Sequence, residues 1–314
     1  MSTTPRTKRD ELGHAVTDLV ATLRISGMPS ARNLLVTVFG DAVAPHDAAV
    51  PVQALVQLLA GVGVNDRLVR TSLTRLVRDG ILRNEKIGRR SIYAIDPASL
   101  SLFEHADNRI YVHRELDWDG DWTLAVVDAT ASTTAGRTRL RRELTWLGMG
   151  TVAPNVLASP NLDPAAITSM LDRLGDDHHV LVTRGAATVG ASTMSDEEIA
   201  RRFAPVDDLS ARYAQIIDWF DPIVRAFDQT DDPSPQDCWT ARLLLIATFR
   251  RIALVDPALP EKLLPDTWNG ATARDLVGSL YERIHEHAER WLAEVCVDPV
   301  TAWGPPAGRL DRFV

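Results

Sequence analysis

Cysteine is nearly absent from these 314 residues: Cys238 and Cys296 stand alone, 58 positions apart. Neither has a CxxC neighbour or a Cys/His partner at ligand spacing, so a zinc cage or a disulfide framework has nothing to build on, and both read as buried thiols. Long apolar runs are missing too. The longest, such as Leu243 to Thr248, suit a core helix and fall far short of the roughly 18 residues of a membrane span. The opening MSTTPRTKRDELGHAV has no uninterrupted apolar stretch and no small-residue cleavage site, so it does not read as a secretory leader, and a cytoplasmic protein is expected. Serine, histidine and aspartate are scattered without a nucleophile-elbow motif, which leaves catalysis without a foothold.

What is there is ordinary in bulk and uneven in distribution. Apolar residues at 45% and charged residues at 24% are globular averages, and the length suggests two or three domains. A net charge of −8 argues against nucleic acid only if it is evenly spread. It is not: between positions 31 and 95, nine basic residues (Arg32, Arg67, Arg70, Arg75, Arg78, Arg83, Lys86, Arg89 and Arg90) face five acidic ones. Residues 1–30 add one further positive charge, leaving 96–314 at −13. A basic module on an acidic body suits a DNA-binding head on a sensing and oligomerising body.

The pattern along the chain is α+β and multidomain. Residues 1–30 read as a tail and weak helix, broken at Ser26-Gly27-Met28-Pro29-Ser30. Within 31–96, a short apolar helix from Arg32 to Phe39 is stopped by Gly40-Asp41, and a second runs from Val52 to Leu59. A third, capped by Asn65 or Asp66, runs from Arg67 to Asp79 with Gly80 as its stop. Strands at Ile81–Glu85 and Arg90–Ile95, joined by a Gly88 turn, complete the order of a winged helix-turn-helix. A connecting helix, Leu100–Tyr111, fills 97–116. Residues 117–194 then alternate: strand Trp122–Ala129, helix Arg137–Leu147, strand Val152–Ala158, helix Pro164–Leu174 and strand Val180–Thr183, which suggests a ferredoxin-like domain. From 195 to 314 the β signals stop, and an all-α domain is expected, with helices at Ser195–Arg202, Leu209–Asp228, Pro235–Val255 and Thr272–Val297.

The third helix divides cleanly. Stepping about 100° per residue from Arg67 puts Arg70, Thr71, Thr74, Arg75 and Arg78 between about −60° and 80° of it, while Leu68, Val69, Leu73, Leu76 and Val77 fall between about 100° and 280°. Guanidinium binds phosphate or guanine bidentately, and threonine offers a hydroxyl to phosphate and a methyl to thymine. A solvated basic helix would carry the same residue types; the hairpin that follows, with Arg83, Lys86, Arg89 and Arg90 around Gly88, is what favours DNA, because a wing grips the phosphate backbone with such charges.

These residues resemble the PaaX family of bacterial repressors of phenylacetate catabolism. The matching stretches are Thr37 to Asp41, Arg67 to Leu73 with Arg75-Leu76, Ile87 to Ser91, Trp118-Asp119-Gly120 with Trp122, and Trp146 to Gly150 with Ala153-Pro154. Leu243 to Ile246, Phe249-Arg250-Arg251 and Asp256-Pro257 to Leu263-Leu264-Pro265 extend the match. The resemblance implies a winged-helix head, a Cas2-like ferredoxin-like centre and a helical carboxyl-terminal domain. It also implies a homodimer on a palindromic operator, released by phenylacetyl-CoA or another aryl- or acyl-CoA, with no cofactor or metal. Arg184, Trp219, Arg250 and Arg251 are candidate types for an effector site, since a CoA thioester needs cations for its phosphates and an apolar slot for its acyl group; ion pairing and core packing account for the same residues equally well.

Two other classes remain open at this point. A Cas2-like nuclease would use Asp128, near the end of the first central strand, as a metal ligand, but divalent-metal phosphodiester cleavage needs several converging oxygens and no partner stands out. His285 and His287 point about 200° apart on a helix and are poorly placed to share one metal. A scaffold whose acidic helical third mediates assembly is the other alternative, the basic helix then being mere decoration.

Overall fold

A computed structural model describes residues 11–88, 90–112, 117–128, 133–175, 179–187, 193–296, 303–304 and 312–313. Its elements follow in chain order: α1 (Glu11–Ser26), α2 (Ala31–Thr37), β1 (Val50–Pro51), α3 (Val52–Leu58), α4 (Asp66–Arg78), β2 (Leu82–Ile87), β3 (Arg90–Ile95) and α5 (Leu100–Tyr111). Next come β4 (Asp121–Val127), α6 (Thr134–Trp146), β5 (Gly150–Ala153), β6 (Val156–Ser159), α7 (Pro164–Leu174) and β7 (Val180–Ala186). The chain ends in α8 (Asp196–Phe203), α9 (Val206–Asp228), α10 (Pro235–Ala253) and α11 (Gly270–Cys296). Two compact units result, one of Met1–His113, Tyr213–Leu254 and Gly270–Val314, the other of Arg114–Arg212 and Val255–Asn269.

The first unit is built around α10. From Cys238 to Phe249 every residue of this helix is buried, Arg242 included, because α11, α2, α1 and α5 pack around it. A helix buried on all sides has no solvent face to keep, which is why no amphipathic stripe marks it in the sequence. The basic segment and the carboxyl-terminal helices therefore share one core. Trp239 donates its indole N–H to the Leu58 carbonyl at 2.8 Å, fixing the end of α3 against α10. β1, β3 and β2 form a small antiparallel sheet, with Val50 opposite Tyr93 and Arg83 opposite Ala94.

One expectation fails here. Gly40-Asp41 does not stop the helix begun in α2; it continues as a π-helical turn over Val38–Val43. Asp41, 2% exposed, is drawn inward. Its carboxylate accepts from Arg242 Nε at 2.8 Å, Arg312 at 2.8 Å, Tyr111 Oη at 2.7 Å and Tyr281 Oη at 3.0 Å. The wider turn supplies the extra residue that lets a normally terminating aspartate reach buried partners.

The second unit is a β-α-β-β-α-β chain whose four-stranded antiparallel sheet runs β5-β6-β4-β7. Alternation along β4 sorts its side chains: Ala125 and Val127 join Leu140, Leu144, Ile167 and Met170 beneath α6 and α7, while Trp122 lies on the other face with Trp118, Ala200, Leu259 and Leu263. The expected single strand Val152–Ala158 is a hairpin, β5 and β6, folded at Pro154-Asn155. Asn155 takes φ of 62°, a left-handed conformation that asparagine tolerates, and turns the chain where a continuous strand would have left β5 unmade.

Candidate nucleic-acid interface

The capping residue that starts α4 is Asn65, whose Oδ1 accepts from the Leu68 N–H at 2.9 Å, satisfying one of the helix's unpaired first-turn donors. Val69, Ser72, Leu73 and Leu76 are buried, and α2 and α3 pack on that face. Leu68 was expected with them, yet it is 47% exposed. It sits on the rim of the apolar arc, about 100° from Arg67, beyond the reach of the packed helices.

Arg67, Arg70, Thr71, Thr74, Arg75 and Arg78 are all exposed. They differ in what already holds them. Arg70 Nε bonds both oxygens of Asp66, at 2.9 and 3.0 Å, and Arg78 Nε lies 3.2 Å from Asp79. Asp79 also takes Arg32 at 2.8 Å, which ties the end of α4 to the start of α2; hydrogen bonding from Arg78, reinforced by Arg32, holds its carboxyl below the usual range. Arg67 and Arg75 have no ion pair among the described residues. Thr71 and Thr74 donate to the carbonyls of Arg67 and Arg70, at 2.8 and 2.9 Å, so each hydroxyl turns its acceptor side outward.

Beyond the Gly80 stop, β2 and β3 pair from Leu82 opposite Ile95 to Ile87 opposite Arg90. The register leaves a two-residue loop in which Gly88 takes φ of 63°, the conformation such loops require. Arg83, Lys86 and Arg90 are exposed. Arg89 lies outside the described residues. Two short exposed elements thus carry this basic surface, α4 with its apolar side buried and a hairpin whose tip is bare of acidic residues.

The expected effector residues divide between the two units. Arg184 belongs to the second unit and lies 2.7 Å from Asp119 and 3.7 Å from Asp121, joining β7 to the start of β4. In the first unit Arg250 donates to Thr37 Oγ1 at 3.3 Å, Arg251 to the Gly27 carbonyl at 3.3 Å, and Trp219 is half-buried on α9. Asp128 follows β4, its N–H donating to the His179 carbonyl at 2.9 Å. No group of three or more metal-ligating side chains occurs among the described residues.

The node at Asp41 escaped the sequence reading altogether. Burial would raise its carboxyl, but Arg242 and Arg312 beside it, with the Tyr111 hydroxyl, hold it below its ordinary value. Arg242 reaches on to Glu289 at 2.6 Å, and Glu289 meets His46 Nε2 at 3.1 Å. Burial opposes that charge as well, yet hydrogen bonds from His46 and Arg242 keep the Glu289 carboxyl down at about 2. Arg312 also bonds the Asp41 and Gly40 carbonyls at 2.6 and 3.2 Å, and Phe313 packs among Tyr111, Phe249 and Tyr281. Partners 201 and 271 residues from Asp41 leave no local signal; a lone arginine within the apolar run of α10 is the one hint.

Three family models match in chain order: the PaaX-like protein over residues 30–97, the PaaX protein central Cas2-like domain over 115–198 and the PaaX-like protein C-terminal domain over 205–294. Among solved structures, an uncharacterized protein from Mycobacterium tuberculosis has a TM-score of 0.52 at 20% identity, covering 82% of this chain and 98% of that one, a likeness of fold. The transcriptional repressor PaaX of Escherichia coli (strain K12) is 31% identical over 266 residues, 84% of either chain. Identity sustained across the exposed basic helix, the central sheet and the closing helices places the chain in the PaaX family of transcriptional repressors.

Proposed function

We propose that the chain is a winged-helix repressor of an aromatic-acid catabolic operon of the phenylacetate type, binding its operator as a homodimer and released by an aryl-CoA thioester such as phenylacetyl-CoA. The observation that carries this reading is the exposed α4 arc of four arginines and two threonines followed at once by the exposed basic hairpin. In it, α4 enters the major groove, Arg67 and Arg75 reach base edges or phosphates, and Lys86, Arg89 and Arg90 flank the duplex as a wing. Pairing of two heads supplies the surface that one alone lacks for operator-grade affinity. Membership of a repressor family supplies the sign of regulation.

Footprinting on the duplex upstream of the chain's own coding region, with and without a panel of aryl- and acyl-CoA thioesters, tests operator, effector and sign together. The expected result is salt-dependent protection of intact DNA that an aryl-CoA abolishes. Equal binding to random duplex would overturn operator recognition in favour of a scaffold, magnesium-dependent cleavage would point to a nuclease, and insensitivity to every thioester would remove the effector.

A further inference from the structure

The second unit carries a cationic arc that the operator-binding helix does not explain. α6 holds Arg137, Arg139, Arg141 and Arg142 against the single acid Glu143, within a stretch, 96–314, whose net charge is −13. Leu140 and Leu144 are its buried contacts with the sheet. On the opposite side Ala135, Thr138, Arg139, Arg142, Thr145 and Trp146 are all exposed and span an arc of about 120° with no carboxylate in it. Arg141 lies off the arc, bound to Asn155 Oδ1 at 3.1 Å, and Glu143 borders it, 3.1 Å from one branch of Arg142. Trp146, at 76% exposed, is the most exposed aromatic of the described residues.

We infer that this arc is a second contact for duplex DNA, gripping phosphates through its own arginines. The donors are those of the α4 surface, arginines suited to phosphate; Thr138 between them spends its hydroxyl proton on the Thr134 carbonyl at 3.0 Å, as Thr71 and Thr74 spend theirs, and leaves the anion to the guanidinium groups. Charge complementarity selects the partner, because a strip of like charge on an acidic unit attracts an anion. A protein hot spot would surround Trp146 with apolar residues that exclude water. Here its nearest neighbours on the arc are arginine and threonine, and the indole N–H is one more donor to a phosphate oxygen. The inference rests on the DNA-binding reading above and extends it to a part of the chain that makes sequence-independent contacts.

Full-length protein with Arg139→Ala and Arg142→Ala tests it by titration against the upstream duplex and a random duplex of equal length, over a range of salt. Two lost phosphate contacts lower the slope of log affinity against log salt by about 2 and weaken binding roughly tenfold near physiological salt. Both duplexes suffer alike, since backbone contacts carry no sequence information. Trp146→Phe gives a smaller loss with the slope unchanged. An equal charge change on α8, Arg201→Ala with Arg202→Ala, leaves the slope as it was. An unchanged slope in the α6 variant, while Arg67→Ala with Arg75→Ala abolishes binding, overturns this inference and spares the first; loss of the dimer in the α6 variant also overturns it, making the arc a contact between copies. Absence of binding by the parent protein removes both.

Discussion

A carboxylate with four donors around it is a heavier commitment than any apolar core residue. Asp41 brings charge into the interior, and Arg242, Arg312, Tyr111 and Tyr281 are there to meet it. Removing the anion leaves Arg242 with Glu289 and Arg312 with Asp107 as their remaining carboxylates, each one short in a buried site, so Asp41→Ala is expected to destabilise the first unit by about 3 kcal/mol, read from denaturant unfolding. On the surface the arginines of α4 are unequal. Arg70 and Arg78 already spend their charge on Asp66 and Asp79. Arg75→Ala is therefore expected to cost about 1–3 kcal/mol of operator affinity, and Arg78→Ala less, in the same binding assay.

Elements are fixed by small details of the backbone. Gly150 opens β5 where a Cβ would lie 2.6 Å from the Phe203 carbonyl oxygen, and backbone cannot move aside as a flexible side chain can. Gly150→Ala is expected to lower the thermal midpoint of the second unit and to loosen α8 from β5, detectable as faster amide exchange in both. Much of this level was legible in the sequence: the cap at Asn65, the stop at Gly80 and the faces of α4 follow from local chemistry and period. What was not legible depended on distant partners or on a turn hidden in an apolar run. Asp41 looked like a helix stop because Arg242 and Arg312 are remote in sequence, and Leu68 looked like core because its angle alone does not say how far α2 and α3 extend. Pro154-Asn155 was the missed turn signal.

At the scale of the whole chain, the paired carboxylates inside the first unit make it sensitive to acid. Glu289, held at about 2 against an ordinary 4.5, and Asp41, also lowered, contribute stability that is fully present above the ordinary carboxylate values and is lost as pH falls through the folded ones. The first unit is therefore expected to lose thermal stability as pH drops from about 5 toward 3, with Glu289→Gln less stable at neutral pH and flatter across that window. A wild-type melting profile with no slope there would count against the node as a source of stability.

The span from Asp41 to Arg312 sets an order of events during synthesis. The basic module leaves the ribosome ahead of the cation that completes its interior, which is encoded 271 positions later. Contacts so remote close slowly, and until they close, Asp41 lacks one of the two cations that meet it in the finished core. The module is finished only once everything between Asp41 and Arg312 has been made, and a chain interrupted before Arg312 presents a head whose centre is still open.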